Sequence, residues 1–156
     1  MPTPSATTMN TDEVQKAYGV YFQDQVDVTD KFKVRFGGRF DHFNQVFVNR
    51  ASGVVLNSTK KRVSPTAGAL YQVTDVISLY GGYGQGFRPN SGANFAGTPF
   101  APEYSKSYEV GLRFAAPGDA ISGTIAAYTM KKNNILNADP ANGGFSIAGG
   151  EAKSKG

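Results

Sequence analysis

Cysteine and tryptophan are absent from these 156 residues, and histidine occurs once. Without cysteine there is neither a disulfide framework nor a thiolate metal site, which sets aside the small stapled scaffolds. A lone His42 leaves no histidine pair for zinc. It lies between Asp41 and Phe43 at an expected strand end, with no Ser or Cys nucleophile context, so it reads as an interfacial or loop-edge histidine rather than a general base. Long hydrophobic runs are missing too: no stretch approaches the roughly 18 apolar residues of a membrane helix. That absence leaves a membrane barrel open, because barrel strands alternate apolar and polar residues and average to an ordinary hydropathy. Residues Met1 to Met9 offer neither a basic nor an apolar signal-peptide region. The expectation is that export information either was lost or lies upstream, and that the chain is a fragment of a longer protein.

What is present points to β structure. Nineteen glycines and a 12% aromatic content made only of Phe and Tyr suit strands punctuated by turns. The 40% apolar content rules out a wholly disordered polymer. The net charge of +4 is more than covered by Lys60, Lys61, Arg62, Lys131, Lys132, Lys153 and Lys155. These fall in expected loops or near the end, so solvated charge is their reading and nucleic acid is not an expected partner.

Period two is plainest from Lys31 to Phe43, where Phe32, Val34, Phe36, Gly38 and Phe40 alternate with Lys33, Arg35, Gly37, Arg39 and Asp41. About a dozen residues exceed an average sandwich strand and suit the roughly 9 to 11 needed to cross the apolar layer at a barrel tilt. Ala17 to Val28 alternates likewise, with Asp24 breaking its apolar side at an interface or a bulge. Val63 to Val73, Val76 to Gly84, Ser107 to Phe114 and Ala120 to about Lys132 follow, and a seventh strand starts near Phe145. Tight turns are expected at Thr29-Asp30, Thr74-Asp75 and Pro117-Gly118. Long Gly-rich links are expected over 44–62, 88–104 and 133–144. Strict alternation of short and long connections is the habit of up-and-down outer-membrane barrels, not of Greek-key sandwiches.

No catalytic constellation emerges. Gly81-Gly82-Tyr83-Gly84-Gln85-Gly86 lacks the helix and Lys-Ser/Thr ending of a phosphate loop, and small residues on a crowded strand explain it better. On the polar parity Lys33, Arg35, Arg39, Asp41, Glu109 and Arg113 project to one side if the strands share a sheet. Such a wall either solvates itself by cross-strand pairing or contacts a plug or ligand.

Five motifs in order carry a family resemblance. Tyr21-Phe22-Gln23-Asp24-Gln25 followed by Phe36-Gly37-Gly38-Arg39-Phe40-Asp41 resembles the strand-turn-strand of TonB-dependent siderophore receptors. Ser64-Pro65-Thr66-Ala67-Gly68, Tyr83-Gly84-Gln85-Gly86-Phe87-Arg88-Pro89, and Pro102-Glu103 with Ser105-Lys106-Ser107-Tyr108-Glu109-Val110-Gly111 match further motifs of that family. Gly149-Gly150-Glu151-Ala152-Lys153-Ser154-Lys155-Gly156 resembles the opening of a later strand. Thr66 departs from the family's usual Arg and removes any charge role there.

The resemblance implies an all-β, antiparallel, up-and-down transmembrane barrel segment of six or seven strands, out of the roughly 22 of large outer-membrane transporters. It covers 17–156, with 1–16 a disordered or loop segment and no counterpart to the family's plug domain, TonB box or terminal aromatic strand. Alone, such a segment is expected to leave two unpaired edges, to lack transport, and to aggregate or form an open curved sheet. For a complete relative the resemblance implies an outer-membrane location, a ferric siderophore as the transported ligand with no directly bound cofactor or metal, and lipid and the TonB complex as partners, the latter through the plug. No enzymatic activity is expected. Phe47, Arg50, Phe95, Phe100 and Tyr104 are the candidate ligand contacts, with loop packing or an interfacial belt as the alternative. A non-importing outer-membrane adhesin and a soluble β-sandwich binding module are the competing functions.

Overall fold

The computed structural model describes residues 11–116 and 121–156, all of them strand, turn or irregular backbone without a helix. Seven strands form one antiparallel sheet in sequence order. They are β1 (Thr11–Thr29), β2 (Phe32–Asn49), β3 (Val54–Gln72), β4 (Ile77–Arg88), β5 (Glu103–Ala115), β6 (Ser122–Ala138) and β7 (Ser146–Lys155). A meander in which every strand pairs only with its chain neighbours is the arrangement short antiparallel connections permit.

The two Thr-Asp turns fold by one device. Thr29 Oγ1 accepts from the backbone N–H of Phe32 at 3.0 Å, and Thr74 Oγ1 accepts from that of Ile77 at 3.0 Å. In each the hydroxyl satisfies the donor that the reversal would otherwise orphan. The ladder runs unbroken through Asp24, opposite Phe36, and the shift in this hairpin falls at Asp27 and Thr29. A bulge at Asp24 is thereby excluded. The turn expected at Pro117-Gly118 lies outside the described residues.

At the other end the structure corrects the expected loops. The link expected over 44–62 is mostly ladder: β2 and β3 stay paired out to Asn49 and Val54, leaving only residues 50–53 as connection. Similarly, β6 continues to Ala138 and β1 begins at Thr11 rather than Ala17. The strict sorting of short from long connections therefore fails at the first of the three links. Apolar alternation fades where a strand leaves the membrane layer, but backbone hydrogen bonding to a neighbour continues in water. Strands of 18 or 19 residues, as in β1 to β3, are nearly twice the length that the apolar layer requires.

The burial pattern is inverted relative to a water-soluble domain. One face carries Val20, Phe22, Phe36, Phe40, Val63, Val110 and Ile125, all exposed, with Ile125 at 73%. The buried Phe43, Gln45 and Ser64 lie on the opposite, polar parity. Cross-strand partners such as Val20, Phe40 and Val63 keep the apolar set continuous through the register.

Candidate functional site

The polar face brings all six wall candidates onto one side of the sheet, because Lys33, Arg35, Arg39 and Asp41 share a parity of β2 and Glu109 and Arg113 its continuation in β5. Pairing among them is partial. Lys33 Nζ meets Asp27 of the neighbouring strand at 2.7 Å, whereas Arg39 Nε meets Asp41 two residues along its own strand at 2.7 Å. Glu109 accepts from the Tyr80 hydroxyl at 2.8 Å, and the Tyr80 ring lies across Gly111, where any side chain would collide with it. Arg35 and Arg113 make no ion pair among the described residues. The row from Arg35 to Glu109 crosses Gly68 and Gly82, so these two charges stand three strands apart with only glycine between.

Near the loop end a cavity of about 550 Å³ opens on this face, lined among others by Tyr21, Arg39, Asp41, Ser64, Gln85 and Pro89. Its size falls within the range of small-molecule sites. It exists because β3 and β4 pair only from Thr66↔Gly84 to Gln72↔Ser78, while β4 and β5 stay paired out to Arg88↔Glu103. Side chains bridge the gap: Arg62 Nη2 donates to Gln85 Oε1 at 2.8 Å, and its guanidinium lies 4.6 Å from the Tyr104 ring centre. Arg62 was assigned to solvated loop by sequence; its place within a strand is what makes it a bridge. Arg62 Nε and Ser64 Oγ are buried without a hydrogen-bond partner among the described residues.

The β4–β5 loop, residues 89–102, folds over the loop end. Asn90 Nδ2 donates to the carbonyls of Ala101 and Asn134, both at 2.8 Å, and Asn134 Nδ2 donates to that of Pro102 at 2.9 Å. This reciprocal pair ties the loop to β6, where Asn134 takes a φ of 61°, a conformation asparagine tolerates. Ser91 Oγ donates to Glu13 of β1, which also accepts from Gln45. Phe100 is buried, its N–H donating to Gly92 O at 3.2 Å and its ring standing where a Gly92 side chain would be.

The five candidate ligand contacts accordingly separate. Phe95 is 60% exposed and meets Phe145 of the next loop edge-on, with centroids 5.1 Å apart. Tyr104 lies in β5, between the Arg62 guanidinium and Phe87, and Phe100 anchors its own loop. Phe47 sits within β2 opposite Glu13 and Leu56, and Arg50 ion-pairs with Asp12. His42 makes an edge contact with Tyr18 and a 3.2 Å hydrogen bond with Asn44. Among the described residues no His, Cys, Asp and Glu cluster could hold a metal. Asparagines 90 and 134 were missed by sequence reasoning, since nothing local marks two residues 44 apart as partners.

Comparison with known proteins bears on the whole chain. The family model described as TonB dependent receptor-like, beta-barrel matches residues 1–156. The chain is 37% identical over 142 residues to the ferrichrome outer membrane transporter/phage receptor of Escherichia coli K12, covering 91% of the chain and 19% of that protein. It is 33% identical over 153 residues to the metal-pseudopaline receptor of Pseudomonas aeruginosa, covering 94% of the chain and 22% of the receptor. The chain thus spans about a fifth of the length of these relatives. Among solved structures, the pyoverdine outer membrane receptor of P. aeruginosa superposes with a TM-score of 0.74 at 23% identity, over 93% of the chain and 22% of that structure. The alcaligin outer membrane receptor of Bordetella pertussis gives 0.72 at 22% identity, over 93% and 26%.

Proposed function

The chain belongs to the TonB-dependent receptor β-barrel family, and from that premise we propose that it forms wall and outer loops of a bacterial outer-membrane receptor for ferric-siderophore uptake. One observation carries the reading: an exposed apolar face backs a polar face that holds the buried Phe43, Gln45 and Ser64. In a wide barrel the first meets lipid and the second lines a wet lumen. A β-sandwich module would cover its apolar face with a second sheet, and the seven strands here form one sheet. An adhesin would share the barrel but not the family match, with its siderophore-receptor relatives.

Roles then follow from geometry. Phe95 and Phe145, the edge-on pair joining two loops, offer aromatic surface to an incoming siderophore, while Arg62, on the parity of Asp41, extends the site toward the lumen. Phe100 acts indirectly, by holding the loop in shape. Arg35 and Arg113, without an ion pair among the described residues, are available to a plug domain or a passing anionic ligand. Energy coupling through TonB is assigned to parts of the full-length receptor outside these residues. In that receptor, Phe95→Ala is expected to weaken ferric-siderophore binding about tenfold, the loss of one well-placed aromatic contact. Equilibrium titration of intrinsic fluorescence measures it, and unchanged affinity would remove Phe95 from the site.

A further inference from the structure

The sheet forks at its loop end, and one arm of the fork has an open edge. β3 and β4 zip from Gln72↔Ser78 to Thr66↔Gly84 and then part. Pro65, the next residue toward the loop end of β3, has no N–H to give a neighbouring strand. Continuing the register would set Arg62 beside Arg88, the last residue of β4, so even a fully zipped β4 would leave residues 54–61 uncovered. On its other side this stretch is fixed by pairing with β2, from Asn49↔Val54 to His42↔Lys61. Among the described residues no loop backbone group bonds to it. At about 3.4 Å per residue the edge is roughly 27 Å long, more than an average strand offers.

An open ladder edge is a row of backbone donors and acceptors held at strand spacing, the template on which an extended peptide adds as a further strand. The side chains along it decide which peptide. β3 contains no Asp or Glu, while Lys60, Lys61 and Arg62 follow one another at the fork. Neither lysine makes an ion pair among the described residues. Lys60 stands opposite Phe43 on the lumen parity and Lys61 opposite His42 on the other, so an added strand meets an ammonium on each of its faces. At the foot of the fork Ser64 Oγ, on the cavity wall, and Arg62 Nε are buried without a partner among the described residues. A carboxylate at the inner end of a peptide is the acceptor these two donors lack. A second copy of this edge would bring more cations and no carboxylate, which makes it a poor occupant.

Resting on the membrane-barrel reading above, which puts this end of the sheet outside the cell, we propose that the edge of β3 above the fork binds an extended, acidic segment of an external protein as an added strand. Its carboxylates lie beside Lys60 and Lys61, with one at the fork against Ser64 and Arg62. On the lipid-facing parity Val63 gives way to Lys61 and Thr59, so the edge starts where the apolar layer ends. Main-chain hydrogen bonds supply the affinity, and the cations select the sequence.

The test uses the full-length receptor purified in detergent and a fluorescein-labelled peptide of about ten residues that alternates glutamate with valine and threonine, enough to span the edge. Fluorescence anisotropy should show saturable binding. Two N-methylated versions keep the charge and remove the donors from one edge of the peptide or from the other. One should lose binding and the other keep it, because an added strand pairs through a single edge. The variant combining Lys60→Glu and Lys61→Glu should weaken binding about tenfold, the worth of two opposite-charge cross-strand pairs made like-charged. A peptide with lysine in place of glutamate should prefer that variant to the wild type. Equal binding of the two N-methylated peptides, or affinity indifferent to the charge reversal, overturns the proposal. Heat-modifiable gel migration of each sample reports the barrel separately: a wild type lacking it defeats the barrel reading and this proposal together. Normal migration without binding of the acidic peptide defeats the proposal alone.

Discussion

Two connections leave the same end of the sheet and solve the chain reversal in opposite ways. Residues 50–53 turn within the ladder: Asn49 Oδ1 accepts from the N–H groups of Ala51 and Ser52 at 3.0 and 3.2 Å, and Gly53 N donates to Asn49 O at 2.8 Å. Gly53 takes a φ of 71° with nothing near its Cβ direction, so backbone freedom alone makes glycine useful there. Residues 89–102 make a small domain-like loop instead, with a buried ring, an Ala93↔Pro99 bridge and an Asn94 side chain accepting from Thr98 N at 2.8 Å. The first reversal is encoded by five consecutive residues and the second by partners as distant as Glu13 and Asn134. A locally encoded turn tolerates change elsewhere; the packed loop depends on what surrounds it.

That contrast can be broken at either connection in the full-length receptor. Phe100→Ala should have the largest effect, costing about 3 kcal/mol of local loop stability, as for a buried ring. Hydrogen exchange over 89–102 should then accelerate roughly a hundredfold while 50–53 stays unchanged; equal protection would deny that the loop has a core. Gly53→Val is expected to cost about 1–2 kcal/mol, the penalty of a left-handed conformation for a branched residue. Faster exchange confined to the β2–β3 hairpin would confirm that this turn is local, and a change in the 89–102 loop would contradict it.

The smallest effect belongs to Asp139 in the β6–β7 loop. A hydrogen bond from the Asn142 side chain and another from Ala141 N hold its carboxyl below the usual aspartate range. A depressed folded value means the contribution is present above the unfolded pKa of about 3.9 and is lost as pH falls through the lower folded value. The Asn142 side-chain amide resonance should titrate with a midpoint below that of a free aspartate, and Asp139→Asn should abolish the titration. A midpoint at or above the free value would show that the contact does not persist in solution.

Much of the architecture was legible because period-two patterning is local. Strand identity, a count of six or seven strands, both Thr-Asp turns and the common side of the six wall charges follow from parity and from residues adjacent in the chain. The outer halves of β2 and β3 were not legible, since Asn57, Ser58, Thr59, Lys60 and Lys61 lie in β3 without a continuous apolar parity. Asn49 and Gly53 were the overlooked turn signal. The site was legible as a list of residues but not as an arrangement. Phe95 and Phe100 are five apart, yet one is exposed and the other buried, and only the loop's long-range tethers decide which.

The early end of the β3–β4 ladder at Thr66↔Gly84 has a meaning for descent as well as for shape. Above that point the β1–β3 hairpins and the β4–β5 hairpin share side-chain contacts but no backbone register. Insertions in 89–102 can therefore accumulate without forcing a slip in the neighbouring strands. A seam of this kind lets the connection on one side change its length while the ladder on the other keeps its register.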